Sequence, residues 1–356
     1  MRWILALPLL LMPATATARD AYHFPAPGGE QQVLTIEASI DISAMEPLIR
    51  DFQALEPTIT VEFADALTND VFAAAREACD AGRTFADLFI TSSSNHVVKL
   101  ANDACAQRYS SNAAGALPEW ANWRDEAIGF TFEPAVIVYN RDLVPAADVP
   151  RSHGDLIELL RAKPQLYDGR IGTYDIDQSG IGFLFAFFDA EQSSTFGRLI
   201  EGLGRARAAL RCCTGEILSE IESGKLLIGY NLLGSYAYQR QAAGAPIGIV
   251  LPEDYTLVLS RAAMIPVHAA NPEAGRRFLD YLISPRGRRV AAEKAFYFTF
   301  DAPPPEDVIS AAAGGDTSFY RPIPIGPSLL ATLDKAKRAR FLKEWMAAMG
   351  ASKPLE

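Results

Sequence analysis

The stretch of chain from residue 33 to residue 100 switches repeatedly between two hydrophobic periods, and that switching limits the folds open to it. Residues 33–40 (VLTIEASI) alternate apolar and polar with the two-residue period of a strand. Residues 43–55 then place Met45, Leu48, Ile49, Phe52 and Leu55 at three- and four-residue spacing, one face of a helix. Ser43 and Glu46 make a capping-box pattern, and Pro47 falls in the first turn, where its missing N–H costs little. A second strand is predicted over 58–64 (TITVEFA), a second helix over 69–79 ended by Gly82, and a short buried strand over 87–91 (DLFIT). Ser94 or Asn95 caps a further helix running to Leu100. Strand, helix, strand, helix, strand in that order predicts an α/β fold on a parallel, doubly wound sheet.

The middle of the chain breaks this rhythm. Residues 128–140 (IGFTFEPAVIVYN) form one extended run, long enough to leave one sheet and enter another. Beyond it the pattern predicts a short helix over 155–160, a strand over 170–174, a loop over 175–180 and a strongly apolar helix over 181–190. Helices over 194–203 and 217–223 and a strand over 226–230 complete a second α/β unit with its own core. Residues 255–266 (YTLVLSRAAMIP) read as a long strand returning the chain to the first unit. Asn271 followed by Pro272 starts a helix, and Ser284 followed by Pro285 ends it and starts another. The expected division is a first lobe over 32–127 plus 255–295 and a second over 128–254. A tail over 296–356 packs on both, Pro- and Gly-rich at first and ending in a helix over 328–349. At 356 residues with 49% apolar composition, the chain is large enough for two such lobes.

Residues 1–18 (MRWILALPLLLMPATATA) carry a positive Arg2, a short apolar stretch and an Ala16-Thr17-Ala18 cleavage pattern, the signature of a secretory signal peptide cut near Ala18. The expected location is the periplasm, and with no Cys after the cut a lipid anchor is not expected. The 33 Lys and Arg against 43 Asp and Glu give a net charge of −10, the wrong sign for a general nucleic-acid partner. Four cysteines fit an exported chain. Cys79 and Cys105 are the expected bridge, worth roughly 3 kcal/mol in the chain-entropy model. Cys212 and Cys213 are adjacent and either form a vicinal disulfide or pair elsewhere. No C-x-x-C or Cys/His grouping suggests a metal.

Several segments together resemble one family. LTIEASIDISAMEPLIRDFQALEP, ADLFITSSS, EPAVIVYNRDLVP, GRIGTYDIDQSGIGFLFAFF, GKLLIGYNLLGSYA and NPEAGRRFLDYLISPRGRRVAAEKA are similar, in that order, to the type II extracellular solute-binding proteins of ABC transporters. The group concerned has ferric-iron-binding and sugar-phosphate-binding members, and the similarity runs from about Leu34 to Lys294. The resemblance implies a periplasmic-binding-protein type II fold: two α/β lobes, joined by hinge strands, that close on a small solute. It also implies delivery to a membrane permease; a membrane sensor kinase reading the closed form is the other partner it allows. A monomer without cofactors is expected.

Ligands of open α/β sheets sit outside the carboxyl ends of the strands, where helix N-termini offer free N–H groups and partial positive charge. Ser39 and Asp41 end the first strand, Ser92, Ser93 and Ser94 the third, and Asp177, Ser179 and Gly180 precede the apolar helix. Tyr230, Asn231, Ser235 and Tyr236 complete the expected second-lobe wall. This set predicts a small anionic solute, phosphorylated or carboxylated; taken singly, each residue is equally a cap or a turn former. Ferric-binding relatives carry adjacent tyrosines after the strand matching 226–230. Here Tyr236 and Tyr238 are one residue apart, so ferric iron on that pair is the alternative. Trp120 and Trp123 read as packing residues rather than a sugar platform. Ser92–Ser94 with His96 invites a hydrolytic reading, but the chain has no G-x-S-x-G elbow, H-E-x-x-H or P-loop, and no enzymatic activity is expected.

Overall fold

The structure is a computed structural model that describes residues 20–295 and 318–350. The expected signal peptide and its cut near Ala18, and the first part of the expected tail, lie outside the described residues. In chain order the strands of the first half are β1 (Asp20–Phe24), β2 (Gln32–Ala38), β3 (Ile59–Asp65), β4 (Leu88–Thr91), β5 (Ala106–Gln107), β6 (Asn122–Trp123), β7 (Ala127–Gly129) and β8 (Glu133–Asn140). They continue as β9 (Ile171–Tyr174), β10 (Ala209–Arg211), β11 (Ile228–Leu233), β12 (Ile247–Val250), β13 (Thr256–Leu259), β14 (Ala262–Pro266) and β15 (Tyr320–Pro322).

Two sheets result. The first runs β1–β3–β2–β4–β14–β7–β6, with β5 beside β14, and the second β10–β9–β11–β8–β13–β15, with β12 beside β8. Within the first, β2, β3 and β4 are parallel, as the alternation predicts, with helices Ile42–Leu55 and Thr68–Asp80 as crossovers. The lead-in before β2 is more ordered than its polar composition suggests. Tyr22 and Phe24 alternate, and β1 pairs antiparallel with β3, burying Phe24. The first helix begins one residue early, at Ile42 after Asp41, so Ser43 lies inside it and the expected capping box does not form. Asn271 and Ser284 cap as expected, accepting from the N–H groups of Ala274 and Gly287.

Up to β14 the chain passes between the sheets twice, between β7 and β8 and between β13 and β14, and β15 lies in the second sheet again. The run 255–266 is therefore not one strand of the first lobe: β13 belongs to the second sheet and only β14 to the first. Ser260 and Arg261 make the break. Arg261 N–H donates to Thr131 Oγ1 at 2.9 Å and Phe130 N–H to the Arg261 carbonyl at 3.1 Å, tying the two crossings together. A Cβ on Gly129 would lie 2.5 Å from Ser260 Oγ, so only glycine permits this approach.

The apolar interior likewise departs from two separate cores. One cluster fills the first lobe around Ile36, Phe52, Phe63 and Phe278, and another the second lobe around Ile137, Tyr167 and Phe183. A third, with Phe89, Val97, Leu184, Phe185, Leu257 and Leu329, runs across the seam. The C-terminal segment reinforces it. β15 pairs with β13, the 3₁₀ turn Pro327–Leu333 then lies on helix Ser94–Asn102, and Asn95 Nδ2 donates to Thr332 Oγ1 at 2.9 Å. Asp334 then caps a separate helix, Lys335–Ala348, whose Trp345 enters the second-lobe core. The single helix expected over 328–349 is thus split at the residue best suited to an N-cap. Cys79 is bridged to Cys105, as expected, and Cys212 to Cys213.

Candidate functional site

Between the lobes lies a cavity of about 470 Å³. On the first-lobe side it is bordered by the segments that follow β2, β3 and β4: Ser39 to Asp41, Asp65 to Thr68, and Ser92, joined by Asp20 of β1. On the second-lobe side stand Gln178, Ser179, Ile181, the turn Cys212 to Glu216, Leu233 and Tyr236, and Arg261 contributes from the crossing. They lie at strand ends or in the loops and first helical turns beyond them, where an open α/β sheet presents its ligand-binding groups. Helices Ile42–Leu55, Thr68–Asp80, Gly180–Gln192, Thr214–Glu222 and Gly234–Ala242 each begin at this cavity, so five N-terminal turns from both lobes border one space. Such ends carry unpaired N–H groups and favour negative charge.

The charged side chains there are unequal in situation. Arg261 and Glu133 are both essentially unexposed and joined Nε to Oε1 at 2.7 Å, and Ser235 Oγ donates to the other Glu133 oxygen. The Arg261 guanidinium also lies 5.4 Å from the centre of the Tyr236 ring. Asp65 feels the Arg261 charge but is not bonded to it. Its Oδ1 accepts from Ile40 N–H at 3.1 Å, but burial, reinforced by the nearby charges of Asp41 and Asp20, pushes its carboxyl up to about 7. Burial also raises the Tyr236 phenol, keeping it neutral.

The lobes touch at the rim. Gly180 N–H donates to Thr68 Oγ1 at 3.0 Å, and Asn69 Nδ2 donates to the Gln178 carbonyl at 2.7 Å and the Asp177 carbonyl at 3.3 Å. A Cβ on Gly180 would lie 2.6 Å from Ser93 Oγ, so the contact depends on glycine.

Of the residues expected to form the site, Ser39, Asp41, Ser92, Ser179 and Tyr236 border the cavity. The others do not. Ser93 and Ser94 are fully buried at the start of their helix, and Asp177 and Gly180 are used in the rim contact. Tyr230 and Asn231 turn inward and donate, with Tyr255, to the buried Asp189 carboxylate, Tyr230 at 2.7 Å and Tyr255 at 3.1 Å. The cause is local: the β11–β8 register shifts between Gly229 and Leu232, and Asn231 takes a left-handed backbone with φ of 65°, so the simple alternation of faces fails there. Ser235 is committed to Glu133. Tyr238 is absent from the cavity wall, so among the described residues Tyr236 is the one tyrosine that borders it. Among the described residues no group of three or more His, Cys, Asp or Glu side chains is placed to hold a metal.

Sequence reasoning missed Asp65, Thr68, Arg261 and the Cys212–Thr214 turn. A signal for Arg261 exists: it and Glu133 are opposite charges, each set inside an otherwise apolar crossing strand. His96, the histidine beside Ser92–Ser94, is buried and stacked on Phe72 at 4.2 Å; desolvation, with the Arg338 charge, pushes it down to about 3, so it is held neutral inside the fold. Among the described residues no helix is long and apolar enough to cross a membrane.

Comparison with known proteins agrees with this geometry. The family described as bacterial extracellular solute-binding protein matches residues 34–297. A solved structure of the substrate-binding protein of an ABC transporter from Agrobacterium tumefaciens is 34% identical, with a TM-score of 0.87 over 94% of this chain and all of that one. Two more distant structures share the fold. The periplasmic binding protein AfuA from Actinobacillus pleuropneumoniae, with fructose-6-phosphate bound, is 13% identical with a TM-score of 0.70, over 91% of this chain and 100% of that one. Iron-bound HitA from Pseudomonas aeruginosa is 16% identical with a TM-score of 0.63, over 89% and 99%. No curated protein matches the chain.

Proposed function

Because the chain belongs to the bacterial extracellular solute-binding proteins, binding proteins of transporters rather than enzymes, we propose that it captures a small hydroxylated anion, phosphorylated or carboxylated, in the interlobe cleft for a membrane ABC permease. The observation that carries this reading is the meeting of helix N-termini from both lobes on one cavity. Main-chain N–H groups grip the anionic group there, with Ser39, Ser92, Ser179 and Thr68 as hydroxyl partners. Asp41 and Asp65 oppose a bare anion but accept hydrogen bonds from solute hydroxyls, which is why the solute carries both. The fructose-6-phosphate bound to AfuA is a compound of this kind. Ferric iron fits less well, since Tyr236 stands without a second phenol.

The working cycle is hinge closure of the lobe built on the first sheet against the lobe built on the second, pivoting at the crossings near 130–132 and 260–261, in a monomeric protein exported to the periplasm after cleavage near Ala18. Ligand stabilises the closed form by its greater affinity for it. A thermal-shift screen of the chain from Arg19 tests the reading. Fructose 6-phosphate, glycerol phosphates, di- and tricarboxylates, inorganic phosphate, and Fe(III) with citrate serve as probes. Bound solute raises the melting temperature by mass action, and a shift with iron alone overturns the anion assignment.

A further inference from the structure

Both walls of the cleft mix polar and apolar groups, with Ile40, Ala66 and Leu67 on the first-lobe side and Gln178, Ser179, Glu216 and Tyr236 on the other. On the first-lobe side Ser39, Asp41, Asp65, Thr68 and Ser92 present oxygens. The opposite side includes the Cys212–Cys213 bridge, with Ile181 and Leu233 nearby. Both cysteines are partly exposed, and Cys213 is the residue before helix Thr214–Glu222. The turn is held from several directions. Thr214, buried behind it, shares a 2.6 Å hydrogen bond with Tyr174 Oη, and Arg211, just before it, bonds Glu220 from both Nε and Nη2 at 3.1 Å.

A disulfide carries no proton to donate, and its sulfurs are soft, polarisable and weak acceptors. In a cleft otherwise rich in oxygens and N–H groups, such a surface offers nothing to a phosphate or carboxylate oxygen. It suits carbon and hydrogen: the C–H face of a ring whose hydroxyls point the other way. The ring closed by adjacent cysteines also fixes both sulfurs in place, so the surface is formed before the solute arrives.

Taking the cleft as the solute site, we propose that the Cys212–Cys213 bridge is a specificity-determining contact, on which the C–H face of a hydroxylated ring packs while its hydroxyls bond to Ser39, Asp41 and Asp65 across the cleft.

Calorimetric titration of the chain from Arg19 tests this with two probes, fructose 6-phosphate, which has a ring and a phosphate, and inorganic phosphate, which has only the anion. The proteins are the oxidised wild type, the Cys212→Ala/Cys213→Ala variant, and wild type reduced at the exposed bridge with a phosphine, mass spectrometry confirming that Cys79–Cys105 stays closed. Loss of the bridge is expected to weaken fructose 6-phosphate roughly tenfold, the scale of a lost apolar contact in a pocket, and to change inorganic phosphate by less than about twofold. The reduced wild type keeps every side chain and carries the test if the alanine variant fails to fold by circular dichroism. Unchanged fructose 6-phosphate affinity overturns the proposal, and so does an equal loss for both probes, which marks a general collapse of the turn. If neither probe binds the oxidised wild type, the phosphate-binding reading of the cleft fails, and this proposal fails with it.

Discussion

At the crossings the lobes are joined by two covalent strands and a buried ion pair, Arg261 with Glu133 at 2.7 Å; at the rim they meet through neutral groups, Thr68 and Asn69 against the backbone of Asp177 to Gly180. The two contacts answer differently to water. A rim hydrogen bond that opens is replaced by one to solvent at little net cost, about 1 kcal/mol. A buried charge that loses its partner has no such replacement. The crossings are therefore the fixed axis of the molecule and the rim the part that can part, an arrangement that suits a hinge closing over a cleft. The C-terminal segment adds a third link on the fixed side, since it pairs with β13, rests on helix Ser94–Asn102 through Asn95 and Thr332, and returns to the second-lobe core.

The largest expected effect tests the axis. Arg261→Ala strands Glu133 in the interior and is expected to cost about 3–5 kcal/mol in urea unfolding, whereas the paired change Glu133→Gln/Arg261→Met costs clearly less, because no charge is left uncompensated. A loss under about 1 kcal/mol for the single variant would mean that water reaches this pair and that the contrast with the rim is wrong.

Next in size is a test of what the cleft closes on. Ser179 borders the cavity and caps helix Gly180–Gln192 by accepting from Gly182 N–H at 3.2 Å. Aspartate caps as well as serine, so Ser179→Asp keeps the helix while placing a negative charge where the anion is expected. Fructose 6-phosphate affinity should fall at least tenfold, about 1.4 kcal/mol, with the melting temperature of the free protein moved by a few degrees at most. Equal affinity in calorimetry takes Ser179 out of the anion site.

The rim comes third. Thr68→Val with Asn69→Ala removes two side chains that hydrogen-bond to the second lobe, while the Asp41 N–H to Tyr236 Oη contact at 3.5 Å stays. Each lost bond is worth about 1 kcal/mol of closure. Small-angle scattering of the ligand-free variant should show a larger radius of gyration than wild type, at nearly unchanged urea stability. A variant as compact as wild type would assign closure to the apolar cluster across the seam instead.

What the sequence disclosed follows the same division between regular and special backbone. The parallel order of β2, β3 and β4, the two crossings, the Cys79–Cys105 bridge and the cleft positions of Ser39, Ser92 and Ser179 follow from period, caps and strand ends, which are local properties. Tyr230 and Asn231 were illegible because a register shift beginning at Gly229 and a left-handed backbone at Asn231, a residue other than glycine, break the alternation of faces there. β1 was missed because it is a five-residue edge strand whose partner residues lie 37 to 45 positions along the chain. The Cys212–Cys213 turn enters the cleft only through the packing of the second lobe, about which spacing along the chain says nothing.

The last test contrasts two carboxylates near the same cleft, Glu133 bonded to the Arg261 guanidinium and Asp65 reached only by its charge. Asp65 sits at about 7 in the folded protein because burial and the charges of Asp41 and Asp20 outweigh the hydrogen bond from Ile40 N–H and the charge of Arg261, against about 3.9 in an unfolded chain. Between those values the folded state holds a proton that the unfolded chain has released. Its contribution to stability is thus complete below about pH 4 and is lost as pH rises through about 7. Asp65→Asn keeps an acceptor for Ile40 N–H but cannot ionise. Its melting temperature relative to wild type should therefore climb steadily from pH 4 to pH 8, by a few degrees in all. Parallel curves for the two proteins over that range would show that Asp65 is solvated like a surface carboxylate, and that this wall of the cleft is as open to water as the rim.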